Sequence, residues 1–314
     1  MNLALLDQAR AQGGVFTTGQ AACHGVTPRD ISRLVKAQLV VRVRKGAFVL
    51  AGAWTAANPV DRLALRTRAV MQGRPGAVAA SACAVALHRL PLWGAPLDKV
   101  VLHGSVARIR TRSGLSVIPH LGIANAVSVE SGVLAVTPAY AVVQLCASAG
   151  HRVALVSFDA ALKEGRVNPK DVRDAALSLD LSPREEWQVE RLLELADPKC
   201  ESVGETRTRL LLHDLGHPAR SQVALSDARG FVARVDFLVG DRIVVEFDGL
   251  MKYEGSEGRA ALAAEKRRED RLRAMGFVVV RLTWADLEHP HRVAEMMRRA
   301  VAQVRRSGAE RSAS

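Results

Sequence analysis

The stretch RVDFLVGDRIVVEFDGLMKY, residues 234–253, reads as two apolar strands around a turn, yet it contains Asp236, Glu246 and Asp248, with Lys252 close behind. Carboxylates are poor strand residues, and burying one without a partner is costly. Where they point depends on how the turn closes. With Gly240 and Asp241 alone as the loop, Val239 pairs with Arg242, and Asp236 and Glu246 fall on opposite faces of the hairpin. With a loop of 240–242, Val239 pairs with Ile243. Phe237 then opposes Val245 and Val235 opposes Phe247, giving one wholly apolar face. On the other face Asp236 opposes Glu246, Arg234 opposes Asp248, and Leu238 opposes Val244. A one-residue slip turns every side chain to the wrong face, and glycine-containing three-residue loops are common closures. The spacing therefore predicts the second register and convergent carboxylates.

Two facing carboxylates repel unless a proton or a cation lies between them. Mg²⁺, or Mn²⁺ in its place, takes one or two carboxylates and completes its shell with water and phosphate oxygens. Such an ion polarises a phosphodiester and lowers the pKa of a bound water. Asp236 and Glu246 are thus candidate metal ligands and catalytic residues, and Lys252 is a candidate for stabilising developing phosphate charge. The competing reading pairs Asp236 and Glu246 with Arg234 and Arg242 on a solvent-facing sheet. The nearly continuous apolar run around Glu246 favours the metal site. Glu205 completes an S-x-x-E capping box that begins at Ser202, and on the residues alone it is a cap.

Outward from this hairpin, residues 198–305 read as one α/β unit: helix ESVGETRTRLLLHDLG, strands SQVALSD, FVARVDFLVG and RIVVEFDG, helix EGRAALAAEKRREDRLRAMG, strand FVVVRLTW. Residues 306–314 have the composition of a disordered tail. At the other end, residues 1–53 spell a winged helix-turn-helix. LALLDQARAQG and TTGQAACHG are short helices, the second capped by Thr17 or Thr18. TPRDISRLVKAQ is a third, with Thr27 as N-cap, Pro28 at the first helical position and Asp30 at the positive helix end. LVVRVRKGAFVL is a hairpin turning at Lys45-Gly46. The third helix carries Arg29, Arg33 and Lys36, and the hairpin carries Arg42, Arg44 and Lys45, the residues that would grip DNA phosphates. A solvated basic face on a protein-binding domain is the other reading of the same charges.

Between these lies a segment of 54–197, rich in Ala, Val and Leu, which reads as a mixed α/β scaffold ending in the charged connecting helix LSPREEWQVERLLELADPKC. Its AVAASACAVALHRL reads as a buried helix, DKVVLHG and GLSVIPH as strands, and TPAYAVVQLCASAG as a helix. His88, His103, His120 and His151 have no metal-ligand spacing and read as structural residues.

With 48% hydrophobic residues, the 314-residue chain has material for sizeable cores and for more than one domain. No run of about 18 uncharged apolar residues appears, so no membrane span is expected, and the first residues lack a signal-peptide pattern. Four scattered cysteines without a CxxC pair fit a reducing cytoplasm and argue against a zinc knuckle. A net charge of +12, from 44 Lys and Arg against 32 Asp and Glu, makes a nucleic acid, DNA or RNA, the first partner to consider.

The motifs GETRTRLLLHDLG, RVDFLV, VVEFDGLMKY and EKRREDRLRAMGFVVVRLTW, in this order, resemble the very-short-patch-repair-like branch of the PD-(D/E)XK nuclease superfamily. That resemblance implies a restriction-endonuclease-like αβββαβ core and Mg²⁺-dependent phosphodiester hydrolysis. Asp236 falls on the family's first acidic position, Glu246 on the acid of its Glu-X-Lys motif, and Glu205 on its helix-one glutamate. Asp248 stands where the motif lysine would be, as in this branch; Glu205 and Asp248 complete or flank the implied metal shell, and Glu205 is also an implied catalytic residue. Lys252 stands where the branch often has a histidine. Lys266, Arg267, Asp270 and Arg271 match a charged patch that either contacts phosphate or forms ordinary intrahelical pairs.

The first two segments resemble the abortive-infection type IV antitoxin family, through GVFTTGQAACHGVTPRDISRLVKAQLVVRVRKGAFVLAG and, more loosely, SACAVALHRLPL and VTPAYAVVQL. Two expectations follow. One is a DNA-binding, metal-dependent endonuclease. The other is a non-enzymatic, antitoxin-like repressor with a degenerate nuclease fold and a cognate toxin as partner.

Overall fold

The computed structural model describes residues 2–119, 125–249 and 255–312, and of these the side chains of 255–264 and 308–312 are not described. Lys252 and His120 therefore lie outside the described residues. The chain divides into two compact units, Met1–Ala196 and Asp197–Ser314.

The first unit opens with α1 (Leu3–Ala11), β1 (Val15–Thr17), α2 (Thr18–Cys23), α3 (Pro28–Lys36), β2 (Val40–Arg44) and β3 (Ala47–Leu50). Thr17 caps α2 through a capping box with Gln20, and Thr27 caps α3 through one with Asp30, behind Pro28. These bonds satisfy amides that a helix start leaves open. The strands form an antiparallel sheet of order β1-β3-β2. Leu5, Ala9, Phe16, Ile31, Val40 and Phe48 build a single small core beneath it. The strand β1, which has only three residues, was not anticipated.

The same unit continues through α4 (Ala51–Ala56), α5 (Pro59–Met71), β4 (Val78–Ala79), α6 (Ser81–Leu87), β5 (Val100–Gly104), β6 (Arg110–Arg112), β7 (Leu115–Pro119), β8 (Ala126–Ser128) and β9 (Leu134–Val136). Helices α7 (Pro138–Ala149), α8 (His151–Lys163), α9 (Pro169–Leu177) and α10 (Pro183–Leu195) complete it. The six strands run in the order β6-β7-β5-β4-β9-β8. Helix α5 packs against all three strands of the winged helix, which joins the first two sequence segments into one body. The stretch read as one buried helix, 77–90, is instead β4 followed by α6, because Ala80 is extended and begins the helix only after it. His88 bonds the Val136 carbonyl at 2.7 Å, and His103 bonds Pro119 O and Gln144, so both serve the fold.

The second unit runs α11 (Val203–Asp214), β10 (Ala219–Asp227), β11 (Gly230–Val239), β12 (Ile243–Asp248), α12 (Gly255–Ala274), β13 (Val278–Thr283), α13 (Trp284–Leu287) and α14 (Pro290–Ser312). Its sheet has the order β10-β11-β12-β13, antiparallel except for β13, which lies parallel to β12 as a crossover helix requires. On one face Phe237, Val245, Leu282 and Val239 pack with Leu212 of α11 and Val293, Met297 and Ala300 of α14. On the other, Leu238, Val244 and Val235 pack with Leu272 of α12. Where a disordered tail was expected from 306, α14 continues to Ser312. Arg306, Ala309, Glu310 and Arg311 are good helix formers and carry the helix through Ser307 and Gly308.

All four cysteines are free, and among the described residues no helix is long and apolar enough to cross a membrane.

Candidate functional site

The hairpin closes with the three-residue loop: Val239 pairs with Ile243, Leu238 with Val244 and Phe237 with Val245, and Gly240 takes φ 55° at the turn. The ladder then stops. Asp236 does not continue it opposite Glu246 as expected. Instead its Oδ2 accepts the Phe247 N–H at 2.9 Å, so the carboxylate replaces a backbone partner across the gap. The predicted apolar face also breaks there. Phe237 packs on the α14 side, while Val235 joins the α12 side. Arg234 bonds Glu201 at 3.0 Å, and the described β11–β12 ladder does not extend to an Arg234–Asp248 pair. The irregularity is shared by β10, where Gln222, between the pairs Ser221–Phe237 and Val223–Val235, holds φ 53°. A left-handed non-glycine residue within a strand is strained backbone of the kind that collects at functional sites.

The two carboxylates nevertheless meet. Asp236, Glu246 and Asp248 line one cavity of about 200 Å³ together with Glu265, Arg268 and Arg281. Burial pushes the carboxyl of Asp236 up, opposed by the Phe247 amide and Arg268. Burial likewise pushes Glu246 up, opposed by Arg268 and Arg281. Arg268 Nη2 lies 2.8 Å from Glu246 Oε1, and Arg281 Nη2 lies 3.9 Å from Oε2. Arg281, the β13 partner of Glu246 in the sheet, is engaged by Glu265 and, at 2.9 Å, by Glu269. Arg242 turns instead to the Met275 carbonyl, so the pairing with Arg234 and Arg242 does not occur.

Glu205 keeps its capping role. It accepts the Glu201 N–H at 2.9 Å and the Ser202 hydroxyl at 3.0 Å, and Ser202 Oγ accepts the Glu205 N–H. It also accepts Gln222 Nε2 at 2.8 Å, and burial, followed by Asp236 among its charged neighbours, raises its carboxyl. Glu205 thus borders the acidic site through Gln222 without lining the cavity. Gly204 beside it has no room for a side chain, since a Cβ would fall 1.9 Å from the Phe247 ring.

Among the described residues no three His, Cys, Asp or Glu side chains converge as a metal-binding set. Asp236 and Glu246 still fit a hard divalent ion that takes only one or two carboxylates, with Arg268 competing for Glu246. Of the α12 patch, Lys266 and Arg267 are exposed, while Arg271 is committed to Asp227 at 2.9 Å. Arg268 and Gln222, which reach the acids, were not singled out from the sequence. The spacing of Arg268 four residues before Leu272, on one face of α12, was the available signal.

In the first unit, Arg29, Arg33 and Lys36 are exposed and, with Pro28 and Ser32, line a shallow groove along α3. The pairing of Arg33 with Asp30, 3.3 Å apart at 80% and 42% exposure, is too solvated to immobilise it. Arg42 lies over the Phe48 ring at 5.6 Å, and Lys45 is exposed at the wing turn. Arg44 is different: its guanidinium donates to the carbonyls of Arg112 and Ser113, so it braces the wing rather than projecting from it.

Residues 4–51 match the family described as a transcriptional regulator, AbiEi antitoxin, and the N-terminal domain is of this DNA-binding regulator type. Over its length the chain is similar to two uncharacterised proteins of Mycobacterium tuberculosis, from strains CDC 1551 / Oshkosh and ATCC 25618 / H37Rv. Each is 27% identical over 280 residues, which is 88% of this chain and 100% of the relative.

Proposed function

We propose that the protein is a DNA-bound, divalent-metal-dependent endonuclease of the PD-(D/E)XK type, brought to DNA by its regulator-type winged helix. The observation that carries this reading is the pair of carboxylates, half-buried Asp236 and buried Glu246, lining one cavity at the point where β11 and β12 part. Asp236 and Glu246 would hold Mg²⁺ or Mn²⁺, which when bound supplies Lewis-acid polarisation of the phosphodiester and a more acidic water. The Phe247 N–H fixes the rotamer of Asp236. Arg268, one-third exposed in the cavity wall, supplies the cation that the Glu-X-Lys motif lacks and is placed to neutralise charge developing on phosphate. Arg281 is held by Glu265 and Glu269 and orients Glu246 rather than meeting substrate. Purified protein incubated with duplex DNA should nick it in Mg²⁺ or Mn²⁺ and not in EDTA; equal activity in EDTA would refute the assignment.

The engagement of Glu246 by both Arg268 and Arg281 favours a second reading, in which the acidic site is a structural charge network and the protein acts only as a regulator, with a toxin as partner. Metal-independent, sequence-specific DNA binding without any strand scission would select it.

A further inference from the structure

A strongly basic cavity of the first unit joins two residues of the wing, Arg44 and Lys45, to parts of the scaffold that have no role above. It encloses about 910 Å³, and its wall carries Arg44 and Lys45 from the wing turn, Arg74 from the loop after α5, and Arg110 and Arg112 from β6. None of the described residues lining it is Asp or Glu. Three separate elements therefore bring five cations to one concavity with no anion to offset them. The crowding is felt: burial holds the Arg44 guanidinium below its ordinary value, and Arg74 and Arg112 push it further the same way. Arg44 nevertheless stays in place because the Arg112 and Ser113 carbonyls hold it. Cations gathered around an open space, with no acid among the described lining residues, create a potential that favours an anion.

The lining narrows the choice of anion. It contains no Phe, Tyr or Trp on which a base could stack, and its other side chains include Leu102, Leu115 and Val117. It is also larger than one inorganic phosphate requires, and it is continuous with Lys45 of the wing. We propose that this cavity receives the sugar-phosphate backbone of the DNA bound by the winged helix, extending the footprint from the wing onto the scaffold strands. The inference rests on DNA binding by the winged helix but not on nuclease activity.

Arg74 and Arg110 are exposed, so they can be changed with little cost to folding. Binding of the full chain to duplex DNA is to be measured against salt concentration for the wild type, Arg74→Ala/Arg110→Ala, Arg74→Lys/Arg110→Lys and Arg33→Ala. Each phosphate contact contributes about 0.9 to the salt slope, so the double alanine variant should lose about 2 from the slope, on specific and random DNA alike. The double lysine variant should keep it. If the wild type binds DNA and Arg33→Ala weakens it, but the double alanine variant keeps affinity and slope, the cavity is not a DNA contact. If the wild type does not bind DNA, the parent reading fails first. Saturable binding of ATP or inorganic phosphate that the double alanine variant abolishes, with its DNA slope unchanged, would assign the cavity to a small anion instead and overturn the proposal.

Discussion

At the scale of single residues, Asp236 carries most of the account. It is half-buried, its carboxyl is pushed up by that partial burial, and one oxygen takes a backbone N–H that the sheet would otherwise leave open. A carboxyl raised in the folded state favours folding while protonated and costs stability once pH rises through the raised value. Asp236→Asn keeps an oxygen for Phe247 and removes that cost. In EDTA at neutral pH the variant should melt above the wild type. The gap should close as pH falls below the ordinary value of 3.8, where both side chains are neutral. Excess Mg²⁺ should stabilise only the wild type; a variant that melts lower in EDTA at pH 7 would contradict the assignment. Arg268→Ala removes the nearer of the two cations facing Glu246. Because Arg268 is 33% exposed, solvent screening limits the loss to about 1–2 kcal/mol of stability in denaturant unfolding. DNA cleavage should fall much further, with partial recovery in Arg268→Lys.

At the scale of elements, the hairpin β11–β12 was legible because its apolar residues match in only one register, and the glycine at 240 permits the loop that register needs. The break at 236 was not legible. It depends on the strained turn of Gln222 in β10, on a neighbouring strand that pairing rules treat as regular. The role of Arg268 was hidden for a related reason, since α12 must be docked on the sheet before its reach is known. Helix α14 could have been read: Val293, Met297, Ala300 and Val304 recur at helical spacing and do form its buried side. Two elements invite direct tests. Gly204→Ala drives a methyl into the Phe247 ring beside Glu246 and should destabilise the fold by about 1–3 kcal/mol in a denaturant titration, with loss of cleavage. Thr27→Ala removes the capping box of α3 and should cost about 1 kcal/mol. DNA affinity should drop with it, because Arg29, Arg33 and Lys36 ride on that helix.

At the scale of the whole molecule, each compact unit has cores of its own, so each is expected to answer to its own ligand. The division at 196/197 follows the end of the charged helix α10, whose Ser182–Glu185 capping box and Asp197-Pro198 stop are written in the sequence. That the winged helix and the scaffold form one unit was not, because the packing of α5 on β1, β2 and β3 is a long-range contact with no local signature. The most direct test is the rate of strand scission of duplex DNA in Mg²⁺ by the wild-type protein and by Asp236→Asn, each first shown to bind that DNA equally. The wild type should cut, and the variant should show no scission above background. Equal rates, or a wild type that binds tightly and never cuts, would contradict the nuclease assignment.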